Sequence, residues 1–388
     1  MTIATTEIDL SQYPFINKGL EGIVAFSTTK SSVDGQIGEL IYGGYNINTL
    51  AEKSTFEEVC FLLWEDRLPT QTELDELKIA LQTNRELPSQ VLDYIRNTNK
   101  NAEPMSVLRT AVSMLADFDE NLDFKSHVEN YRRSIELTAK IPTIIAAFDR
   151  VRNGKEIVAP LNSGSTAFNF LYMLNGVQPG EKAEKVLDLC LILHAEHGMN
   201  ASTFTARAVC STEADIYSAI TGALGSLKGP LHGGANTAVM NLLLDLKKQY
   251  SPDPVQFVKD KLARKEKISG FGHRIYKTFD PRASHLQKLS KALAEETGHI
   301  ELYNWSIAMM ETMKSEKNID PNVDFFSATV YYSMGIMPDL YTAIFALSRI
   351  SGWAGHFMEQ MENNRLIRPK SLFTLEKNMV WTPIADRA

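Results

Sequence analysis

From Ser54 to Glu362 the apolar residues of this chain recur at the spacing of helix faces, while strand-like runs are confined to the stretch before Asn48. That contrast restricts the chain to an all-α fold with a small N-terminal β element. Ser54-Thr55-Phe56-Glu57 reads as a capping box opening a helix through Trp64, and Thr70-Gln71-Thr72-Glu73 opens the next. Pro88–Asn97, Met105–Phe118 and His127–Arg150 continue the pattern, the last interrupted by Pro142, where a break or kink is expected. Val186–His194 is apolar almost all round, as a helix buried on every side would be. Thr237–Tyr250, Ala283–Glu296, Phe325–Met334 and Asp339–Glu362 complete the helical reading. Ile23–Thr28 and Glu39–Ile47 read as strands, with a turn at Val33-Asp34-Gly35-Gln36 between them.

Composition narrows the function classes. At ~150 residues per domain, 388 residues correspond to two or three domains. A net charge of −7 excludes a basic nucleic-acid footprint spread over the chain, and 44% hydrophobic residues exclude wholesale disorder. Cys60, Cys190 and Cys210 are scattered, without a CxxC pair, so a reducing compartment is expected rather than a disulfide framework or cysteine-ligated zinc. No apolar run approaches the ~20 residues of a membrane span. Met1–Leu10 carries Glu7 and Asp9 but no Lys or Arg, unlike a signal or transit peptide, and a cytoplasmic location is expected.

Three segments are too unusual to be plain helix connections. Lys228–Asn236 and Ser269–Arg274 each carry a histidine among glycines, which let backbone approach a ligand while the imidazole enters the space left. The third is Asn318–Asp324. Neither glycine loop has the Gly-Lys-Ser/Thr ending of a P-loop or a third glycine after a strand, which disfavours nucleotide chemistry. Asp280 can cap the helix that starts at Pro281, leaving Arg282 in a first turn where a cation is unfavourable. Such an arginine asks for an anion, either a carboxylate side chain or a ligand. Asp324, likewise, could cap the helix that follows it. His194 and His197 stand one turn apart as if on one face, but without His-Glu-x-x-His or a third ligand at a recognisable spacing zinc is disfavoured.

Taken in order, these segments resemble the citrate synthase family. The resemblance rests on His194–His197 with Asn200, Gly229-Pro230-Leu231-His232-Gly233-Gly234-Ala235, Gly270-Phe271-Gly272-His273 with Asp280-Pro281-Arg282, and Asn322-Val323-Asp324-Phe325. Ser348-Arg349, Gly352-Trp353-Ala354-Gly355-His356 and the tail Arg368-Pro369-Lys370-Ser371 extend it to the C-terminal region. Gly43, where many relatives have arginine, is a departure that touches local packing.

The resemblance implies a helical homodimer of two-domain chains, with a large domain at 1–232 and 330–388 and a small one at 233–329. It implies Asp324 as the base that deprotonates the methyl group of acetyl-CoA, His232 as donor to the thioester oxygen, and His273 as the group polarising the keto oxygen of oxaloacetate. His197, Arg282, Arg349 and Arg368 would bind oxaloacetate and citrate, with Arg368 reaching the neighbouring subunit's site. Lys267, Ile268, Ser269, Gly270 and Phe271 would contact coenzyme A, with Lys277 a further phosphate contact. No metal, prosthetic group, nucleic acid or membrane is implied. Two readings compete with acetyl-CoA condensation: a 2-methylcitrate synthase using propionyl-CoA, and a helical scaffold without catalysis.

Overall fold

A computed structural model describes residues 13, 16–121, 123–273, 275–375 and 378–387. Met1–Leu10 and Arg274, used in the reading above, lie outside the described residues.

The β element is a three-stranded antiparallel sheet of β1 (Ser31–Asp34), β2 (Glu39–Tyr42) and β3 (Tyr45–Asn46), in that order. Ser31 pairs with Tyr42 and Asp34 with Glu39. The first strand therefore lies later than Ile23–Thr28, which has strand composition but no partner and leaves Val24 90% exposed. The turn is also later, because the Asp34 carboxylate accepts from the N–H groups of Gln36 and Ile37 and closes the chain there. Ile47 is not a strand residue. The Asn46 side chain accepts from the Asn48 N–H and starts α1 (Ile47–Lys53) instead.

Next come α2 (Phe56–Glu65), α3 (Gln71–Thr83), α4 (Ser89–Asn97), α5 (Pro104–Leu115) and α6 (His127–Arg152). The capping box of α2 uses Thr55 and Glu58, one residue beyond the expected pair. Glu57 is instead turned inward, accepting from the Thr166 N–H at 2.8 Å. Thr70 and Glu73 cap α3 as read. α6 runs through Pro142 as one helix, so of the expected break or kink the break is absent. Ile141, Thr143, Ile144 and Ile145 are buried around the proline, and packing there offsets the lost hydrogen bond.

The chain continues with α7 (Thr166–Asn175), α8 (Glu181–His194), α9 (Ala201–Cys210) and α10 (Ile216–Leu227). Then follow α11 (Ala235–Lys247), α12 (Pro254–Ala263), α13 (Pro281–Thr297), α14 (Ile300–Lys317), α15 (Val323–Ser333) and α16 (Tyr341–Glu362). α16 is the axis of one packing group, touching α2, α6, α8, α9 and α10, and Tyr341, Leu347, Ile350, Trp353 and Phe357 along it are fully buried. α11 to α15 pack chiefly on one another, through α13 against α15 and α12 against α14. Cys60, Cys190 and Cys210 are buried and free, and no described helix is long and apolar enough to cross a membrane.

Candidate active site

The loop between α10 and α11 folds back tightly: the Gly233 N–H donates to the carbonyls of Leu227 and Gly229. A Cβ at Gly233 would stand 2.3 Å from the Leu227 oxygen, so only glycine permits the turn that presents His232. His232 Nε2 lies 2.8 Å from Ser202 Oγ and 3.3 Å from the Ser202 peptide nitrogen. A peptide N–H can only donate, whereas the hydroxyl can do either. The peptide contact makes Nε2 the acceptor and leaves the proton on Nδ1, while the hydroxyl also donates to Asn200 Oδ1. Burial, reinforced by Arg349, pushes the His232 pKa down to about 4, so the ring is neutral at pH 7.

His273 is fixed the other way round. The N–H groups of Ile275 and Tyr276 both donate to its Nδ1, each at 3.1 Å, which leaves the proton of the neutral ring on Nε2. Burial and Arg282 push this pKa to about 4 as well. His273 is carried by a short antiparallel pairing: Gly272 N–H donates to the Asp320 carbonyl and Asn322 N–H to the Gly270 carbonyl. Gly270 has φ +84°, and a Cβ there would meet Val239 at 2.6 Å and Phe325 at 2.8 Å. This pairing ties His273 to the start of α15 and hence to Asp324.

Asn322, not Asp324, caps α15, accepting from the Asp324 N–H at 3.0 Å. The Asp324 carboxyl is thereby free for other work, and burial raises its pKa to about 6 against the opposing pull of Arg282 and Arg349. A carboxyl ionised at neutral pH yet far more basic than usual suits proton abstraction.

The two arginines of this region differ. Arg282 donates through Nε (3.0 Å) and Nη2 (2.9 Å) to Asp280, so its awkward helix position is satisfied by a carboxylate side chain of the chain itself, before any ligand. Asp280 also accepts from the Val323 N–H, joining the starts of α13 and α15. Burial works against the Asp280 carboxylate, but Arg282 holds its pKa below the ordinary value. Arg349 is buried, with Nε on the His194 carbonyl at 2.7 Å and its guanidinium 4.6 Å from the Phe345 ring centre. Among the described residues no carboxylate stands within ion-pair distance of Arg349, although burial pushes its pKa down. A buried guanidinium held this way is a ready seat for an anion.

His194 and His197 do not share a helix face, because α8 ends at His194. The His194 ring sits near Phe345, with Nδ1 at 2.7 Å from the Cys190 carbonyl. His197 lies 5.1 Å from the His273 ring and 3.1 Å from the Tyr276 hydroxyl, and burial with Arg282 keeps it neutral.

Of the remaining expected contacts, Lys267 and Lys277 are exposed, Ser269 is half-buried, and Ile268, Gly270 and Phe271 are packed inside, Phe271 4.5 Å from Phe325. Lys277 lines the polar recess that also includes His273, Asp280 and Asn322. Arg368 is not brought to this group. It is exposed, and its neighbour Ile367 is tied to Ser211 at the far end of α9, about 13 Å along the helix from Ser202.

Sequence reading gave no individual role to four residues. Ser202 orients His232. Tyr42 donates to the Glu196 carbonyl at 2.6 Å, with Arg282 and Arg349 as charged neighbours. Glu196 and His356 form a fully buried pair at 3.1 Å. The signal available was an acidic residue between two histidines, an unusual group for a helix end inside a core.

Comparison with known proteins identifies the family. A family model described as citrate synthase, C-terminal domain, matches residues 19–370. The chain is 46% identical to citrate synthase of Haloferax volcanii, over 96% of this chain and 99% of that protein. It is 41% identical to citrate/2-methylcitrate synthase of Bacillus subtilis, over 91% and 94%. The fold superposes with a TM-score of 0.90 on a solved ternary complex of carboxymethyl coenzyme A and oxaloacetate with citrate synthase from Thermoplasma acidophilum, at 32% identity over 96% of this chain and 99% of that one. With matches of this extent in both sequence and structure, the chain belongs to the citrate synthase family.

Proposed function

We propose that this enzyme condenses acetyl-CoA with oxaloacetate and hydrolyses the resulting citryl-CoA to citrate and coenzyme A, an acyl transfer in which the acyl group becomes an alkyl group. One observation carries the reading: two neutral histidines are locked with opposite ring nitrogens protonated, and their charged neighbours Arg282 and Arg349 also face the raised carboxyl of Asp324. Asp324 takes a methyl proton of the thioester. His232 Nδ1–H donates to the thioester oxygen as negative charge develops there. The enol carbon then attacks the keto carbon of oxaloacetate, and the keto oxygen, polarised by His273 Nε2–H, takes up one proton to become the hydroxyl of citryl-CoA, balancing the proton held on Asp324. Water cleaves the thioester of the product, releasing the thiol, and proton exchange with solvent resets Asp324 and His273.

His197, Arg282 and Arg349 receive the carboxylates of oxaloacetate. Arg368 acts on the site of a second chain in a homodimer, a role supported by its position at the far end of α9. Lys267–Phe271 and Lys277 contact coenzyme A. We place the domain boundary so that 233–329 forms the small domain and 1–232 with 330–388 the large one, and the enzyme in the cytoplasm. None of these steps draws on a metal or prosthetic group.

Thiol release from acetyl-CoA in the presence of oxaloacetate tests the reading, and no release would remove it. The relationship to a citrate/2-methylcitrate synthase favours propionyl-CoA as the second reading. One methylene is worth only ~1–3 kcal/mol in a pocket, so kcat/KM for the two thioesters should be measured side by side.

A further inference from the structure

His197 sits in the short connection between α8 and α9, where helical hydrogen bonds cannot hold it. Its two chain neighbours are held by one hydroxyl. Ser31 Oγ accepts from the Gly198 N–H at 3.0 Å and donates to Glu196 Oε1 at 3.0 Å, so a single side chain of β1 spans His197 from both sides. The same Glu196 oxygen pairs with His356 Nε2 of α16 at 3.1 Å. The backbone of Glu196 is gripped too: its carbonyl accepts from Tyr42, the residue paired with Ser31 across β1 and β2. Glu196 and His356 are both fully buried, so this connection is pinned between the sheet and α16.

Nothing in this set touches a reacting atom. We propose that Ser31, acting through Glu196 and Gly198, is a positioning residue that sets the His197 ring for the keto-acid substrate. The inference rests on the condensation reading above. Its consequence is graded: loosening the connection acts first on the oxaloacetate end of the site, while the thioester end is reached only through Asn200, which links the Gly198 carbonyl to Ser202 Oγ.

Ser31→Ala removes the hydroxyl from a half-buried position without opening a large cavity. Steady-state kinetics should show KM for oxaloacetate about tenfold higher, as expected when two buried hydrogen bonds are lost. KM for acetyl-CoA and kcat should stay within about threefold. Oxaloacetate binding measured by calorimetry should weaken in parallel, and Ser31→Thr, which keeps a hydroxyl, should restore it. An unchanged oxaloacetate KM in Ser31→Ala would overturn the proposal. So would equal damage to both substrates with a lowered melting temperature, or failure of threonine to rescue. A wild-type chain that releases no thiol from either acetyl-CoA or propionyl-CoA would overturn the function itself, and this inference with it.

Discussion

His232 and His273 both stand in glycine-lined loops, yet the protein grips them by opposite nitrogens. The first turn of α9 holds His232 at Nε2, whereas the two peptides after His273 hold it at Nδ1. Burial pushes both rings to a pKa of about 4, so neither works as a cation. Each is a neutral donor whose free N–H is chosen by its neighbours. The difference teaches that ring orientation here is set by backbone donors rather than by carboxylate partners, which would have charged the ring. A neutral donor matches the low basicity of a thioester or keto oxygen without losing its proton prematurely.

The most severe way to break the comparison is to remove the group both histidines serve. Asp324→Asn should lower kcat by about 10²–10⁴ while calorimetry shows oxaloacetate binding largely retained. Turnover within a factor of two of wild type would refute Asp324 as the base. In the wild type, kcat/KM should fall about tenfold per pH unit below about 6, where Asp324 becomes protonated, well before either histidine is charged.

The next test separates the two loops. His273→Ala should depress condensation by about 10²–10³ while exchange of the acetyl-CoA methyl hydrogens in deuterated water, with a non-reacting oxaloacetate analogue bound, persists. His232→Ala should suppress both. Equal loss of exchange in the two variants would show that the opposed tautomers do not divide the chemistry.

A smaller effect concerns the cation absent from either loop. Arg368→Ala chains mixed with Asp324→Asn chains should recover about a quarter of wild-type activity after subunits exchange, because half the dimers then hold one complete site. No recovery despite exchange would place Arg368 within its own chain's chemistry.

The smallest effect is on stability. The folded pKa of Asp324, about 6, exceeds the ordinary value of roughly 3.9, so its contribution is present below pH 4 and is lost as pH rises through 6. Asp324→Asn escapes that loss. Its unfolding free energy from denaturant titration should exceed wild type at pH 8, by on the order of 1–2 kcal/mol, and converge with it near pH 4.

What the sequence disclosed was what local rules encode. Thr70 and Glu73 announce α3, and Asp280 with Pro281 announces α13, because caps and fixed φ angles act within a few residues. The glycine-histidine loops stood out for the same reason. Pairing and burial were less legible. Ile23–Thr28 has strand composition without a partner, and only the folded chain reveals that Asn322 takes the capping role from Asp324. Arg282 asked for an anion in the sequence, but its choice of Asp280 depended on side-chain reach, and Ser202 had no signal until α9 met the His232 loop. Arg349 stands in the interior of α16, where position alone cannot tell a buried guanidinium without a carboxylate from one in a salt bridge.

Asp280 holds Arg282 through three of its N–H groups and the start of α15 through a fourth contact, the Val323 N–H. The residue proposed to read an anion and the residue proposed to take a proton are therefore moored to one carboxylate. Thermodynamic cycles between Arg282 and Asp324 should then depart from additivity, since changing either alters the field and strain on the shared anchor. Any effort to retune this site by recombining single substitutions will succeed faster around His232, whose mooring on Ser202 is separate, than around Arg282 and Asp324, where independent changes are not available.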